Sequence, residues 1–306
     1  MYEQIAKNRR KSALIVALAV AFAGAVGYLI GLLVAGSASG ALIGLAIAAV
    51  ASAAMAWASY VFGDRVVLAT SHAVAVTPEQ EPRLHNIVEG LALAAGLPQP
   101  AVYVVPEQSP NAFATGRDPE HASIAVTQGL LDTMNRVELE GVVAHEMSHV
   151  RGGDILVGTI VATLVGAAVL LAEFLLRWFW WGRAGGRARS RDEVGGRGSV
   201  VLAIPGLVVA LLAPLIAELI RLAMSRQREY LADAEGATLT RYPPGLAGAL
   251  RKIAADHTPM RVANNATGHL WLNQPSRVPG ERNHWFENLF TTHPPIEERI
   301  RVLEEM

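Results

Sequence analysis

The sequence contains no cysteine, so disulfide bonds and thiolate metal ligands are both excluded. This absence leaves the compartment open, because many exported proteins also lack cysteine. Charge is scarce as well: charged residues make up 17% of the 306 residues, and the formal net charge is −1. The chain has no basic stripe with interleaved aromatic residues, so we expect no nucleic-acid partner.

Apolar residues, in contrast, make up 52% of the chain, which is high for a soluble domain of this length. Residues 12–34 and 41–62 are two runs without a charged residue, each long enough to cross a bilayer. Residues 1–62 are therefore predicted to form a transmembrane hairpin. The alternative is a signal peptide cleaved near Ser37, although the first run is longer than such signals usually have.

The orientation of the hairpin follows from its basic residues, which precede the first apolar run and are missing from the turn. The positive-inside rule then places the N-terminus and the chain after residue 62 in the cytoplasm, below a cell (inner) membrane that the protein crosses several times. Two further apolar runs, residues 155–172 and 200–217, predict a second hairpin over residues 155–224. Its arginine-rich loop would lie outside, against the same rule. This conflict would be removed if the two runs were only partly embedded or if the orientation of the protein were reversed. We favour two full spans with the arginine-rich loop outside, because both runs approach the length that a bilayer needs.

Between the hairpins, the composition is that of a soluble α+β unit, and residues 63–154 are predicted to be the first part of a catalytic domain. Short apolar runs bounded by turn residues predict strands at residues 101–105, 111–115 and 122–127. Together they predict a small sheet.

Two helices are predicted in this unit from their end signals. Thr77 is an N-cap type followed by Pro78 and Glu79, although Pro82 would delay the regular helix by a turn. This helix is predicted to stop at Gly96. Asn135, three residues before a glutamate, is predicted to cap the second helix.

This second helix carries the sequence His145-Glu146-Met147-Ser148-His149. Two histidines four residues apart lie on one helix face, so both imidazoles can reach one metal ion with Glu146 beside it. Neutral imidazole suits Zn²⁺, and three protein ligands leave a fourth position for water, whose proton the carboxylate can take. The pattern predicts a metalloprotease with one zinc ion. The alternative is a pair of ordinary core histidines, which is costly without partners for their polar atoms.

A third ligand is predicted after the second hairpin, in residues 225–306, the second part of the catalytic domain. Glu229 and Asp233 lie four residues apart on one helix face. Glu229 can complete a His₂Glu set while Asp233 orients a ligand imidazole by a hydrogen bond. Closing the hairpin brings this segment close to His149. The alternative is a solvated acidic helix face.

The chain resembles the HtpX-type membrane zinc metalloproteases, which are relatives of the CAAX prenyl proteases. The resemblance covers nearly the whole chain and rests on motifs in the same order. They are two N-terminal spans, PNAFATG at 110–116, HEMSH followed by Asp154, a second hairpin, SRQREYLAD at 225–233 and THPPIEERI at 292–300. It implies an α+β fold in which helical transmembrane hairpins carry a zincin-like domain at the membrane surface.

The resemblance also implies roles for single residues. The implied zinc ligands are His145, His149 and Glu229, and the implied general base is Glu146. Asn111, His293 and Arg299 are implied to lie near the substrate. Asp154 is implied to support the zinc ligands, as Asp233 does, but only as part of the motif, because helix geometry does not place it on the zinc face.

The substrate-side residues also have physical interpretations. Residues 111–115 can form an edge strand that pairs with an extended substrate, with Asn111 donating to its backbone; a plain turn asparagine is the alternative. His293 precedes Pro294 and can donate to a developing oxyanion, or it is a surface or capping residue. For Arg299, the alternative to a place near the substrate is a surface charge.

The sequence thus predicts a membrane-embedded zinc endopeptidase that cleaves membrane or misfolded proteins, with a role in quality control and stress response. Its partners would be protein or peptide substrates and the lipid bilayer. Two alternatives remain: the same protease facing the exterior, and a non-catalytic membrane scaffold that keeps the fold.

Overall fold

The structure is a computed structural model that describes residues 2–185, 219, 225–262, 267–273 and 294–306. Within these residues, three helices are long and apolar enough to cross a membrane, and they are Ile5–Ala35, Ala38–Thr70 and Asp154–Leu171. The predicted apolar run at residues 200–217, most of the arginine-rich loop and His293 lie outside the described residues.

Helices α1 (Tyr2–Ala35) and α2 (Ala38–Thr70) form the N-terminal hairpin that the first two apolar runs predict. Glycines bring the two backbones together: a Cβ atom built on Gly27 would overlap the carbonyl oxygen of Gly44. Helices pack in this way in lipid, where apolar burial alone gives little advantage. Large apolar side chains are exposed along both helices, as contact with lipid tails requires.

Helix α2 continues beyond the apolar run, which ends at Phe62, as far as Thr70. The end of the run therefore does not mark the end of the helix. The reason is packing, because Val67 is buried against the catalytic part of the chain. Gly63 permits the approach, since a Cβ atom there would lie 2.7 Å from a methyl group of Thr159.

The sheet has four strands in the order β1, β2, β4, β3. They are β1 (Val74–Ala75), β2 (Ala101–Val105), β3 (Ala112–Gly116) and β4 (Ala122–Thr127). Strand β2 runs parallel to β4, whereas β3 runs antiparallel to β4 and forms an edge. Two predicted strands are confirmed. The strand predicted at residues 111–115 lies one residue later, because the Asn111 carboxamide accepts the N–H of Ala112.

Helix α3 (Pro82–Ala95) begins after the predicted start at Thr77. The N–H groups of Gln80 and Glu81 donate to the carbonyl of Thr77, so residues 77–81 form a turn. Pro82 occupies the first helical position, where its missing N–H costs nothing. The helix ends at Gly96, whose φ of 66° is the left-handed conformation that glycine adopts readily.

Helix α5 (Arg136–Gly152) follows the short helix α4 (Gln128–Thr133) and begins with the predicted cap. The Asn135 side chain accepts the N–H of Glu138, and the Glu138 carboxylate accepts the N–H of Asn135. Most of α5 is buried, because α3 and β3 contact it along with two later helices. Gly153 ends the helix at φ 69°, and α6 (Asp154–Gly185) begins at the next residue in a new direction.

Among the described residues from 225 onwards, three α-helices follow: α7 (Arg226–Thr240), α8 (Pro243–Ala255) and α9 (Ile296–Glu304). Helices α7 and α8 pack on α5. Gly141 of α5 permits this, since a Cβ atom there would lie 2.6 Å from the backbone nitrogen of Leu246. The α+β prediction is confirmed, and α5 is the central helix.

Candidate metal centre

His145 and His149 lie one turn apart on α5, with side chains 1% and 17% exposed. Their Nε2 atoms are 3.1 Å apart, and their ring planes are nearly perpendicular at 84°. Both Nδ1 atoms face carboxylates, which only accept hydrogen bonds when ionised. With the hydrogens on Nδ1, both Nε2 atoms present lone pairs to each other. Two lone pairs this close repel, and a cation bound between them would remove the repulsion.

Glu229 reaches the same point from α7. Its Oε2 lies 3.8 Å from Nε2 of His145, and its Oε1 lies 3.7 Å from Nε2 of His149. The close approach of the helices depends on Gly236, where a Cβ atom would lie 3.0 Å from the backbone nitrogen of His145. The three side chains offer donor atoms within 4.8 Å of one another. The predicted triad is therefore assembled from two helices.

The spacing of these donors is close to what one tetrahedral ion needs. Ligands bonded at about 2.0–2.1 Å in a tetrahedron lie about 3.3 Å apart. The two Nε2 atoms, 3.1 Å apart, match that value. The distances of 3.7 and 3.8 Å run to different oxygens of Glu229, and with one atom from each residue the three donors lie within 4.8 Å, so the carboxylate has to move slightly inward to bind the same ion. Two imidazoles and one carboxylate are also a donor set that suits Zn²⁺.

The His145 ring is oriented from behind by Asp233, whose Oδ1 lies 2.9 Å from its Nδ1. Arg299 binds the same carboxylate through two hydrogen bonds, donating from Nε to Oδ2 at 2.8 Å and from Nη2 to Oδ1 at 2.7 Å. Burial alone would raise the pKa of Asp233, but the Arg299 guanidinium and the hydrogen bonds from Arg299 and His145 hold it below the ordinary value. Asp233 is thus an ionised acceptor. The interpretations of Asp233 and Glu229 as a solvated face, and of Arg299 as a surface charge, are wrong, because all three are buried.

The His149 ring is oriented in the same way by Asp154, whose Oδ2 lies 3.0 Å from its Nδ1. Asp154 would lie off this face only if the helix were continuous. Gly153 interrupts the helix and redirects the chain, so the side chain of Asp154 returns towards His149. Asp154 also forms an ion pair with Arg228 and accepts a hydrogen bond from Asn8 of α1 at 2.6 Å.

Neither Asn8 nor Arg228 was assigned a role from the sequence. Arg228 stands in the quoted motif beside Glu229, which is the one signal for it. Burial lowers the pKa of Arg228 to about 10, so it is still a cation at neutral pH. Asn8 has no local signal, because its contacts are with residues more than a hundred positions away.

Glu146 lies between the two histidines in sequence, is 2% exposed, and lines the cavity of about 60 Å³ at the triad. Burial raises the pKa of Glu146, while the neighbouring His145 and His149 oppose the rise. The interpretation of His145 and His149 as ordinary core histidines is hard to reconcile with a buried carboxylate and Glu229 at the same point.

Asn111 directly precedes the edge strand β3, and its carboxamide contacts the protein's own chain. It donates to the carbonyl of Asn273 at 2.8 Å and accepts the N–H of Asn273 at 3.1 Å. The neighbouring Leu272 donates its N–H to Ala112, and Arg299 donates to the Leu272 carbonyl. Contact of Asn111 or Arg299 with a substrate stays a prediction.

Comparison with known proteins agrees with this site. Residues 78–306 match peptidase family M48. A protease HtpX homolog of Thermoanaerobacter pseudethanolicus is 50% identical over 250 residues, covering 82% of this chain and 80% of the relative. A protease HtpX homolog of Lactobacillus acidophilus is 42% identical over 307 residues, covering all of both chains. The crystal structure of Ste24p from S. mikatae aligns over 99% of this chain and 66% of that chain, with 17% identity and a TM-score of 0.48.

A buried His-His-Glu group with a glutamate beside it, in a chain whose helices can cross a membrane, defines an integral membrane metalloendopeptidase. The chain belongs to peptidase family M48.

Proposed function

We propose that the protein is a zinc endopeptidase in which His145, His149 and Glu229 hold the single metal ion. The observation that carries this proposal is the convergence of three donor atoms within 4.8 Å of one another, with both Nδ1 atoms already facing carboxylates. When bound, Zn²⁺ would supply a Lewis acid for a carbonyl oxygen and make water more acidic.

Glu146 is the general base in this proposal. It is adjacent to His145 in sequence and lines the cavity at the triad. Its carboxylate takes a proton from the attacking water and later delivers it to the leaving amine. His293, which lies outside the described residues, would donate a hydrogen bond to the oxyanion, whose charge the metal ion would also stabilise. Arg299 supports the site by holding Asp233.

The edge of β3 offers a place for the substrate backbone. Because Asn111 and Thr127 face each other through a backbone hydrogen bond, the outward groups belong to the alternate residues Ala112, Ala114 and Gly116. The carbonyl of Ala112 is taken by Leu272, and the N–H of Gly116 by Thr159. In the part of the chain that the structure describes, nothing bonds to the outward N–H and C=O of Ala114, which lines the metal cavity.

An extended substrate would therefore pair with Ala114 as an added strand. Such pairing recognises the backbone of the substrate and not its side chains. It therefore requires a segment that is already unfolded or has been extracted from a folded protein. This favours misfolded or membrane proteins as substrates and a role in quality control.

The orientation proposed is cytoplasmic for the catalytic part. Lys7, Arg9, Arg10 and Lys11 at the start of α1 support it by the positive-inside rule. A reporter fused after Met306 tests it: activity only of a reporter that works outside the cell would contradict this orientation.

Metal-dependent cleavage tests the chemistry. The full-length protein, purified in detergent, should contain one zinc per chain and cleave an unfolded protein, and a chelator should stop cleavage until zinc is restored. Glu146→Gln serves as the matched control for contaminating proteases. If the zinc-loaded protein does not cleave, the non-catalytic scaffold is the better interpretation.

A further inference from the structure

Asn8 is a buried polar residue near the start of the first membrane helix, α1. Its side chain is among the least exposed on that helix, at 3%. It precedes residues 78–306, the part that matches the peptidase family. It nevertheless contacts the edge of the metal centre.

The Asn8 carboxamide makes three hydrogen bonds at this junction. Its Nδ2 donates to the carbonyl of Gly152 at 2.7 Å and to Oδ1 of Asp154 at 2.6 Å. Its Oδ1 accepts from Nη1 of Arg228 at 2.6 Å. Both amide hydrogens and the oxygen are thus used, as a buried carboxamide requires.

These bonds fix two things that His149 depends on. Gly152 is the last residue of α5, so Asn8 satisfies a carbonyl at the end of the helix that carries both histidines. On Asp154, Asn8 and Arg228 both occupy Oδ1, which leaves Oδ2 facing Nδ1 of His149. The carboxylate then cannot rotate without breaking contacts at both of its oxygens.

We propose that Asn8 is a positioning residue through which the first membrane helix holds Asp154, and thereby the His149 ring, in the geometry that binds metal. The inference rests on the proposed function, in which His149 is a metal ligand. Its consequence is that the metal site is complete only when α1 is seated against the catalytic part, so the N-terminal hairpin does more than anchor the protein.

Ser12 shows that burial alone does not explain the carboxamide. It lies one helical turn after Asn8 on the same face of α1 and is 4% exposed. Its hydroxyl has no hydrogen-bond partner among the described residues. A small polar side chain can therefore be buried at this interface without a hydrogen bond to any described residue, whereas the Asn8 side chain makes three hydrogen bonds.

The test measures metal binding in the full-length protein in detergent. Asn8→Ala removes both the volume of the side chain and its hydrogen bonds. Asn8→Leu keeps the approximate volume of the side chain but removes its hydrogen bonds. Ser12→Ala is the matched control. The readouts are the rate of Zn²⁺ release to a chromogenic chelator and the visible spectrum of the Co²⁺-substituted protein, with thermal melting of the metal-free proteins as a check on folding.

We expect Asn8→Ala and Asn8→Leu each to weaken metal binding about 10- to 100-fold and to change the Co²⁺ spectrum, as loss of an outer-shell partner does. Ser12→Ala should match the wild type. Wild-type metal affinity and spectrum in Asn8→Leu would overturn the proposal, since a packing role needs only the size.

His149→Ala separates this proposal from the proposed function. If His149→Ala loses metal while Asn8→Leu keeps it, only the positioning role is wrong. If His149→Ala keeps wild-type affinity, the ligand set itself is wrong.

Discussion

The two histidines of the metal centre are held by the same device, built from different parts of the chain. His145 is backed by Asp233 and Arg299, whose side chains are 1% and 2% exposed. His149 is backed by Asp154 and Arg228, whose side chains are each 13% exposed. In both, a carboxylate orients the imidazole and an arginine holds the carboxylate.

We call these sets the inner branch (His145, Asp233, Arg299) and the outer branch (His149, Asp154, Arg228, Asn8). The inner branch lies wholly within residues 78–306, whereas the outer branch includes α1 of the membrane hairpin. Charges in the inner branch are farther from water, so losing one partner leaves a larger uncompensated charge. The comparison indicates that the inner branch serves both stability and metal binding, and the outer branch chiefly metal binding.

The largest effect should come from Glu229→Ala, because Glu229 approaches the histidines of both branches. Two imidazoles alone hold zinc poorly, so we expect metal affinity to fall by orders of magnitude and cleavage to be lost with it. Glu235→Ala is the control, since Glu235 lies on another face of the same helix and does not line the cavity at the triad. Elemental analysis of both purified variants decides the matter. Full zinc occupancy in Glu229→Ala would place the third ligand elsewhere.

Glu146→Gln should remove activity without disturbing either branch. The amide keeps the shape of the side chain but cannot accept a proton, so turnover should fall at least about 10²- to 10⁴-fold while zinc stays bound. Glu140→Gln, on another face of α5, should behave as the wild type. Retained turnover in purified Glu146→Gln would rule out this base.

Arg299→Met tests whether the inner branch carries stability. It leaves the buried Asp233 without its cation, and breaking a buried pair in this way costs about 3–5 kcal/mol. Arg301→Met is the control on the same helix: that side chain is 63% exposed and pairs with Glu305, and such a pair contributes at most about 1 kcal/mol. Denaturant unfolding of the metal-free proteins measures both. Equal losses in the two variants would contradict the special role of Arg299.

The sequence predicted the inner branch better than the outer one, for a physical reason. The His145–His149 and Glu229–Asp233 pairs each follow from the helical repeat, which is local and readable. The same repeat did not place Asp154 on the zinc face, and only the motif suggested it. The change of direction at Gly153 depends on tertiary packing, which two consecutive glycines permit but do not dictate. Asn8 meets its partners only after the hairpin has packed.

The fold shows the same division between local and tertiary signals. Strands bounded by turn residues, such as residues 101–105, were predicted within one residue, and the cap at Asn135 was predicted from its pattern. The end of α2 was not predicted, because the packing of Val67, and not the length of the apolar run, determines how far that helix continues. The domain boundaries stay predictions.

A comparison of Asp233→Ala with Asp154→Ala, in which the smallest expected effect is the stability loss in Asp154→Ala, should separate the two branches most cleanly. Each variant removes the carboxylate that orients one imidazole, so metal affinity should fall about 10- to 100-fold in both. Stability should differ. Asp233→Ala leaves Arg299 buried without its main counter-charge and should cost about 3–5 kcal/mol in the metal-free protein.

Asp154→Ala should cost less, because Arg228 keeps its bond to Asn8, has Glu229 beside it and lies nearer to water than Arg299 does. Zinc release rates and unfolding of the metal-free variants, measured side by side, provide the comparison. If Asp154→Ala destabilises the metal-free protein as much as Asp233→Ala does, the outer branch is also a structural support, and the membrane helix stabilises the catalytic fold as well as its metal site.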